Sequence, residues 1–506
     1  MILKIFQAEI FLSLVILFQL LVNTNLIRNL VNNLPLLNKE TTLQLYIILF
    51  FTTFLLNNSK IYGVLYNNLL YCDMSTQSLK LFLLLISCMI IPFLKESLLM
   101  QKINFIEFDT IFLLSLISSL LLISSSDFLL VYILIEMQSL CFYILASFKR
   151  NSAYSVEAGM KYFIFGSIVS CFFLLGLSFL YGITGTLNFY DLSLLCLYNY
   201  AYQFDNMLFF SLYLISILFF FKLAIIPFHF WALDVYEGAP LASTIIFTIT
   251  TKPVLIHLLI KWIFILGTLY SYLRVLFFTL GILSIIIGTF MSIKQKRLKR
   301  LFIYSSIAQV GFLFLSLSLD LFPGSLYAYF FLFIYILSSI VLWGVLSIFY
   351  INKDKIYKFS KKENNPIYLS DFENLFQYNF DFCLIAVCLF FSIAGIPPYV
   401  GFLSKMYVLL VLIQNNYFFL ACFILFISSI AIYYYIRVIK IIFFDYKLTK
   451  SIQVKKNQII FDFDNSNLCF FIISICQMTL LSLFCFSDTL LYIAEYLIMV
   501  SIFFSF

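Results

Sequence analysis

Charge is what this chain has least of. Only 11% of its 506 residues are Asp, Glu, Lys or Arg, while 63% are hydrophobic. Soluble domains run roughly 45–50% apolar and about 25% charged. Too little polar surface remains to coat such a body in water. A soluble enzyme, a nucleic-acid binder and a disordered scaffold are thereby excluded, and a polytopic membrane protein is left. Histidine is nearly absent, with His229 and His257 alone, so neither haem nor a two-histidine metal centre is expected. Of the eleven Cys no two stand as Cys-x-x-Cys, and the nearest are Cys383 and Cys388. Iron–sulfur and zinc sites need closely spaced thiolates, so buried free thiols and no metal are expected. Neither G-x-G-x-x-G nor G-x-x-x-x-G-K occurs, so no nucleotide should bind the chain itself. Glycine is sparse, 15 against 64 Phe. No transport chemistry asks for so much Phe. The bias reads as an AT-rich genome, such as an organelle's, filling apolar positions with Phe, Ile and Leu codons. The first apolar run, 5–22, is too long for a signal h-region and reads as a membrane helix, not a transit peptide. An organellar protein of this kind would be made inside the organelle.

What is present is a series of apolar runs long enough to cross about 30 Å of hydrocarbon. They fall near 5–23, 41–57, 79–94, 108–125, 127–148, 158–182, 207–228, 239–260, 274–293, 300–318, 325–350, 382–413, 416–444 and 468–487. The expected fold is thus an all-α polytopic membrane protein of about fourteen spans. The apolar tail 488–506 reads as an interfacial helix or a fifteenth span. With fourteen spans the loops alternate between two sides. The side away from Met1 then carries 22 Lys and Arg and the side of Met1 carries 5. By the positive-inside rule the basic side is cytosol or matrix, and both termini lie outside.

Four basic residues belong to no loop in this sorting: Lys161, Lys222, Lys252 and Lys405. A Lys at mid-membrane costs about 2.5–3.5 kcal/mol to insert and faces a bundle interior or a wet cavity. Glu136, nine residues beyond Asp127, joins the set. Burial pushes a lysine toward neutrality and a nearby carboxylate pushes it back. A Glu–Lys pair in a membrane is therefore a group that a moving charge can switch, which suits proton transfer and not the binding of a large organic substrate. Glu136, Lys222 and Lys252 are too many mid-depth charges for anchoring alone. Lys161 is equally well read as a structural partner of Glu157 at i−4. His257, five residues after Lys252, is either a relay or a satisfied core histidine. His229, in Pro-Phe-His, reads mainly as structural.

The seventh run reads Lys222-Leu-Ala-Ile-Ile-Pro227-Phe-His and the twelfth Ser392-Ile-Ala-Gly-Ile-Pro397-Pro398-Tyr. The two Ala-x-Ile-Pro cores are 170 residues and five spans apart. An odd number of spans reverses direction, so spans 4–8 and 9–13 are expected to be inverted repeats with a proline break in the fourth helix of each. Paired breaks in inverted halves point to a transport site, since freed carbonyls at membrane depth must be met by protein or water. The expected organisation is 1–107 as an N-terminal three-helix region, 108–262 and 270–445 as the two repeats, each a proton half-channel, and 446–506 as a charged loop, span 14 and the tail.

Several stretches together resemble a known family. They are Glu136-Met-Gln-Ser-Leu-Cys-Phe-Tyr, Ser155-Val-Glu-Ala-Gly-Met-Lys-Tyr-Phe, Tyr181-Gly-Ile-Thr-Gly-Thr-Leu-Asn-Phe, Phe221-Lys-Leu-Ala-Ile-Ile-Pro-Phe-His-Phe-Trp, Asp234-Val-Tyr-Glu-Gly-Ala-Pro, Lys299-Arg-Leu-Phe-Ile-Tyr-Ser-Ser-Ile-Ala and Ala394-Gly-Ile-Pro-Pro with Gly401-Phe-Leu-Ser-Lys-Met-Tyr. They cover about residues 120–410. The chain resembles the antiporter-like membrane-arm subunits of respiratory complex I, and among them subunit 2 of the mitochondrial NADH:ubiquinone oxidoreductase. The Lys at 405 and the Val-Tyr-Glu-Gly-Ala-Pro run favour subunit 2 over subunit 4. The chain lacks the length for the lateral helix of subunit 5.

The resemblance implies a proton-translocating subunit in the mitochondrial inner membrane. It implies that Glu136 and Lys222 form the pumping pair, that Lys252 connects, and that Lys405 lies toward the exit half-channel. It also implies NADH, flavin, Fe–S clusters and ubiquinone in partner subunits and no cofactor in this chain. The implied partners are the other membrane-arm subunits, including antiporter-like subunit 4 and the small subunits on the quinone side, together with lipid, protons and water. One departure stands out. The family usually reads Ser-Ser-Ile-Ala-His, and this chain has Gln309 at the last position, an amide that cannot titrate. Two other functions fit the same charges: a stand-alone cation/proton antiporter, and a structural subunit whose charges are relics.

Overall fold

The computed structural model describes residues 6–29, 37–58, 63–65, 68–101, 103, 107–197, 205–356, 368–373, 376, 380–444 and 467–503. Two Lys-rich loops, 351–380 and 446–466, lie largely outside the described residues. The chain divides into two compact units. One comprises Met1–Ala224, Gly238–Leu276 and Glu495–Phe506, the other Ile225–Glu237 and Phe277–Ala494.

The first unit begins with α1 (Gln7–Asn29) and α2 (Leu37–Asn58). A two-stranded antiparallel hairpin follows, β1 (Gly63–Leu65) with β2 (Leu70–Cys72), which pairs Gly63 with Cys72. The expectation of a purely helical chain missed it, because three-residue strands carry no usable period. Then come α3 (Met74–Met100), α4 (Glu107–Ser124), α5 (Phe128–Ala146), α6 (Ala153–Thr184), the short α7 (Phe189–Leu197) and α8 (Asp205–Lys222). Past the break lie α9 (Phe230–Gly238), which up to Glu237 belongs to the second unit, and then α10 (Leu241–Ile249) and α11 (Thr251–Leu266) of the first. The second unit is built on α12 (Tyr270–Lys294), α13 (Leu298–Leu317), α14 (Leu321–Ile356), α15 (Phe380–Ala394), α16 (Val400–Gln414), α17 (Phe418–Phe443) and α18 (Asn467–Cys485). The tail is helical too, as α19 (Ser487–Phe503). Among the described residues, ten helical stretches are long and apolar enough to cross a membrane, and shorter apolar helices accompany them.

Serines and threonines are tolerated inside these helices because their hydroxyls return to the backbone. In α4, Ser115, Ser118 and Ser119 donate to the carbonyls of Phe112, Ser115 and Leu116 at 2.7, 2.8 and 2.6 Å, so no polar group is left for lipid. The cysteines depart from expectation. Cys171, Cys422 and Cys485 are exposed, because in a bilayer an apolar run can face lipid as readily as core.

The two broken spans end alike. In α15, Gly395 sits left-handed at φ +81°, its N–H donates to Ser392 O at 3.2 Å, and the Ile396 N–H donates to Phe391 O at 3.1 Å. This is a Schellman end, for which glycine is the favoured residue. At the end of α8 the left-handed residue is Ala224, φ +57°, whose N–H donates to Phe221 O at 2.9 Å. These left-handed residues are 171 apart, as are the cis bonds Ile226–Pro227 and Pro397–Pro398. The structural register thus differs by one from the 170 of the sequence cores, and Pro398, not Pro397, takes the place of Pro227. A third interruption was not expected. The eighth span splits between Ile249 and Thr251, because Pro253 has no N–H for the carbonyl four residues back and crowds it. The Thr250 and Thr251 hydroxyls instead donate to Ile246 O and Phe247 O at 2.8 and 2.6 Å.

One loop geometry also occurs twice. Asp127, extended before α5, forms an antiparallel bridge with Asn188, just before α7. Arg297, extended before α13, does the same with Tyr368, just before a 3-10 turn at Leu369–Phe372.

Candidate functional site

Glu136 stands in the third turn of α5. Asp127 fixes the start of that helix, its carboxylate accepting the Leu129 N–H at 2.7 Å, as an N-cap should. Nine residues on, Glu136 is about 14 Å along the axis. Ser139 Oγ lies 2.9 Å from its carbonyl oxygen and 3.3 Å from Oε2. Lys222 closes α8. Its Nζ lies 5.6 Å over the ring of Tyr162 and 5.9 Å over that of Tyr143. These two rings meet edge to face at 4.8 Å. A Cβ on residue 166 would stand 2.0 Å from the Tyr143 hydroxyl, so that ring keeps its place because Gly166 has no side chain. The Glu136 carboxylate acts electrostatically on Lys222. A desolvated cation over an aromatic face gains up to about 2 kcal/mol, which offsets much of the cost of a lysine at this depth. The site can therefore keep a lysine and a carboxylate inside a helix bundle and respond to a change in either charge.

Lys252 lies in the turn disturbed by Pro253, and both it and His257 are buried in α11. Lys405 belongs to the second unit. Its Nζ donates to Ile393 O at 3.1 Å and Ala394 O at 2.6 Å and lies 5.9 Å over the Phe312 ring. The twelfth span breaks at Pro397–Pro398, and Lys405 meets the carbonyls at the end of the first piece. A cation is favoured at a helix C-terminus.

The secondary candidates sort differently. Lys161 and Glu157 pair at 2.8 Å, but with side chains 38% and 59% exposed. His229 is buried, its Nδ1 3.3 Å from Pro227 O and its ring 4.3 Å from that of Phe230. Gln309 is half-buried in α13.

Charges that the loop sorting set aside prove to be interior. Lys80, counted as a loop residue, is buried in α3 and bonds Glu9 of α1 at 2.6 Å. Lys261, also counted as a loop residue, is in α11, where its Nζ donates to Ile123 O at 2.6 Å. Lys95 pairs with Asp109. The signal was available, since Glu9, Lys80 and Asp109 all fall inside apolar runs. Two of the resembling motifs meet as well. Glu237 accepts from Arg297 at 2.5 Å and from Arg300, and Lys299 reaches Tyr236 O at 3.4 Å. The carboxylate pushes Arg297 further above its ordinary value.

A family profile described as NADH:quinone oxidoreductase/Mrp antiporter, transmembrane, matches residues 125–431. The chain belongs to this family. Its members include relatives similar over most of the chain. The NADH-ubiquinone oxidoreductase chain 2 of Marchantia polymorpha is 34% identical over 386 residues, 76% of each chain. The NADH-quinone oxidoreductase subunit N of Pelagibacter ubique (strain HTCC1062) is 32% identical over 444 residues, 86% of this chain and 88% of its own. The resemblance to subunit 2 drawn from the motifs is thus matched by relatives bearing that name. Two solved structures share the fold. A chain of respiratory complex I from Thermus thermophilus has TM-score 0.74 at 21% identity and covers 96% of this chain and 99% of itself. A chain of the Mrp complex from Dietzia sp. DQ12-45-1b has TM-score 0.80 at 15% identity, with 98% and 97% covered.

Proposed function

We propose that this chain is a proton-translocating membrane-arm subunit of respiratory complex I in the mitochondrial inner membrane. Electron transfer from NADH to ubiquinone takes place on cofactors in partner subunits, and a charge change at a neighbouring membrane-arm subunit, such as antiporter-like subunit 4, is felt here. The observation that carries the reading is Lys222 over Tyr143 and Tyr162 with Glu136 in electrostatic reach. When the outside charge weakens the Glu136–Lys222 attraction, the Lys222 ammonium loses its stabilisation and gives up its proton. Lys252 and His257 receive it, and Lys405 serves the exit half-channel. A water held by the Gln309 amide conducts where the family usually has histidine.

In this reading the chain has fourteen core spans in two inverted five-helix repeats, with both termini on the intermembrane-space side. Support for the repeats comes from the matching ends of α8 and α15 and from the matching bridges at Asp127 and Arg297. Support for complex I over a stand-alone antiporter comes from the two relatives at 32–34% identity, both named as oxidoreductase subunits. The test is Lys222→Met in the assembled complex in proteoliposomes. Protons moved per NADH oxidised should fall while the complex still assembles. An unchanged ratio removes Lys222 from the mechanism.

A further inference from the structure

The first unit holds a second set of buried titratable groups, on other elements than Glu136 and Lys222. Glu9 of α1 and Lys80 of α3 meet at 2.6 Å with exposures of 4% and 1%. Lys80 Nζ also lies 3.9 Å from Cys72 Sγ and 4.8 Å over the Phe6 ring. Asp73, 3% exposed, follows Cys72 at the end of the hairpin, and its carboxylate interacts with Tyr71. Lys261 acts electrostatically on Asp73, Lys80 and Cys72, and His257 feels the charge of Lys261. His257 and Lys261 are four residues apart on α11 and so share a face. The elements are locked together, since α3 packs on α10, and α4 packs on both α11 and β2. From α4, the Ile123 carbonyl accepts from Lys261 at 2.6 Å, and Leu121 packs against Phe6 and Cys72.

Two features distinguish this set from a static ion pair. Glu9 Oε2 and Asp73 Oδ1 are both buried with no hydrogen-bond partner. A structural bridge is stable when all its lone pairs are met, whereas a carboxylate with a spare buried oxygen is ready to accept a proton there. The second feature is position: Asp73 stands at the end of the hairpin, next in sequence to the exposed Met74.

We propose that His257, Lys261 and Asp73, with the Lys80–Glu9 pair beside them, form a proton-exchange relay between α11 and the hairpin end of the first unit. The proposal rests on the proton-translocating reading above. A proton on the His257 imidazolium passes to neutral Lys261, directly or through one water. The ammonium formed gives it to Asp73 Oδ1, leaving a neutral amine and a neutral carboxyl. Asp73 then releases the proton at the hairpin turn and regains its charge. Only N–H and O–H bonds form and break. Lys80, held by Glu9, repels a charge on Lys261 and so favours its discharge toward Asp73.

The experiment compares Lys261→Met and Asp73→Asn with Lys222→Met in the assembled complex in proteoliposomes, reading protons moved per NADH. The relay is a second way out from His257 beside the one that Lys405 serves, so each relay variant is expected to lower the ratio, by a smaller fraction than Lys222→Met does. If Lys222→Met lowers it and both relay variants leave it at wild type, the relay is overturned and the wider reading stands. If Lys222→Met also leaves it unchanged, both fall. Should Asp73→Asn fail to assemble, Asp73→Glu decides. A displaced pH profile of pumping supports the relay, because a structural carboxylate would not move it, and an undisplaced profile overturns it.

Discussion

Replacing Gly395 by alanine tests whether Lys405 works through the broken end of α15. Gly395 holds φ +81°, a left-handed conformation that costs an L-residue about 1–2 kcal/mol. A Cβ there would also meet Lys405 Cδ and Nζ, each at 3.0 Å, tighter than ordinary contact. The lysine is flexible and must yield, and any shift that relieves the contact moves Nζ relative to the carbonyls of Ile393 and Ala394, now at 3.1 and 2.6 Å. A hydrogen bond from a charged donor contributes about 1.5–3 kcal/mol. Losing one of the two, on top of the backbone cost, gives roughly 2.5–5 kcal/mol. At about 1.4 kcal/mol per factor of ten, the population with Lys405 docked should drop at least tenfold. The assay is protons per NADH in proteoliposomes, alongside the thermal midpoint of the complex. Gly395→Ala should pump like Lys405→Met and melt earlier than wild type. Gly395→Asn separates the two costs, because Asn tolerates the left-handed conformation yet still carries a Cβ against Lys405. Wild-type pumping in Gly395→Asn would refute the argument, since the lysine contact would then not matter.

Further outcomes follow from the interior charges. Lys80→Met strands Glu9 as an unpaired buried carboxylate, at a cost of about 3–5 kcal/mol, and should lower the thermal midpoint, with Glu9→Gln in the same chain restoring most of it. Lys161→Met breaks a pair whose members are 38% and 59% exposed. Such i,i+4 pairs contribute about 0.3–0.5 kcal/mol, so pumping and melting should both match wild type. Burial raises the Asp73 carboxyl to about 6 from 3.8, against the lowering by the Tyr71 hydrogen bond and the Lys261 charge. The folded chain therefore holds this proton more tightly than the unfolded one, and stability falls as pH rises from about 4 to 6, by about 3 kcal/mol. The midpoint of Asp73→Asn minus that of wild type should grow across that window, and a flat difference would count against a buried Asp73.

The long helices were legible because a bilayer asks for unbroken apolar runs, and composition alone reports them. The break after Lys222 and the break at Pro397–Pro398 were legible for the same reason, since proline is read directly. Their register was not. It is set by which residue turns left-handed, and Ala224 gives no sign of it, whereas glycine at 395 does. The split at Ile249 was hidden because Pro253 acts on a carbonyl four residues back, away from where it is written. Counting charges inside apolar runs singled out Glu136 and Lys222, which lie in α5 and α8. Lys80 and Lys261 were lost by the same count, because both stand near the ends of runs and were sorted as loop residues. Whether such a lysine snorkels or turns inward depends on a partner such as Glu9, 71 positions away, which only the fold brings near.

Lys222 and Lys405 show how similar breaks can make unlike sites. Lys222 is the last residue of α8, and it looks toward aromatic faces and a carboxylate. Those partners are diffuse, and only the carboxylate bears a charge. Its proton affinity is therefore controlled by whatever alters Glu136. Lys405 comes after its break and reaches back to two carbonyls of the helix that ended. Those partners are fixed dipoles, which favour the ammonium whatever the charges elsewhere. A lysine governed by a distant charge is suited to be switched. A lysine governed by backbone is suited to hold a proton until the geometry of the break changes. If that division is right, changes to outside charge should act through Lys222 and changes to Gly395 through Lys405. A double variant of Gly395→Ala with Glu136→Gln should then lose pumping by the product of the two single effects. An effect no larger than the stronger single variant would mean that both lysines answer to one event.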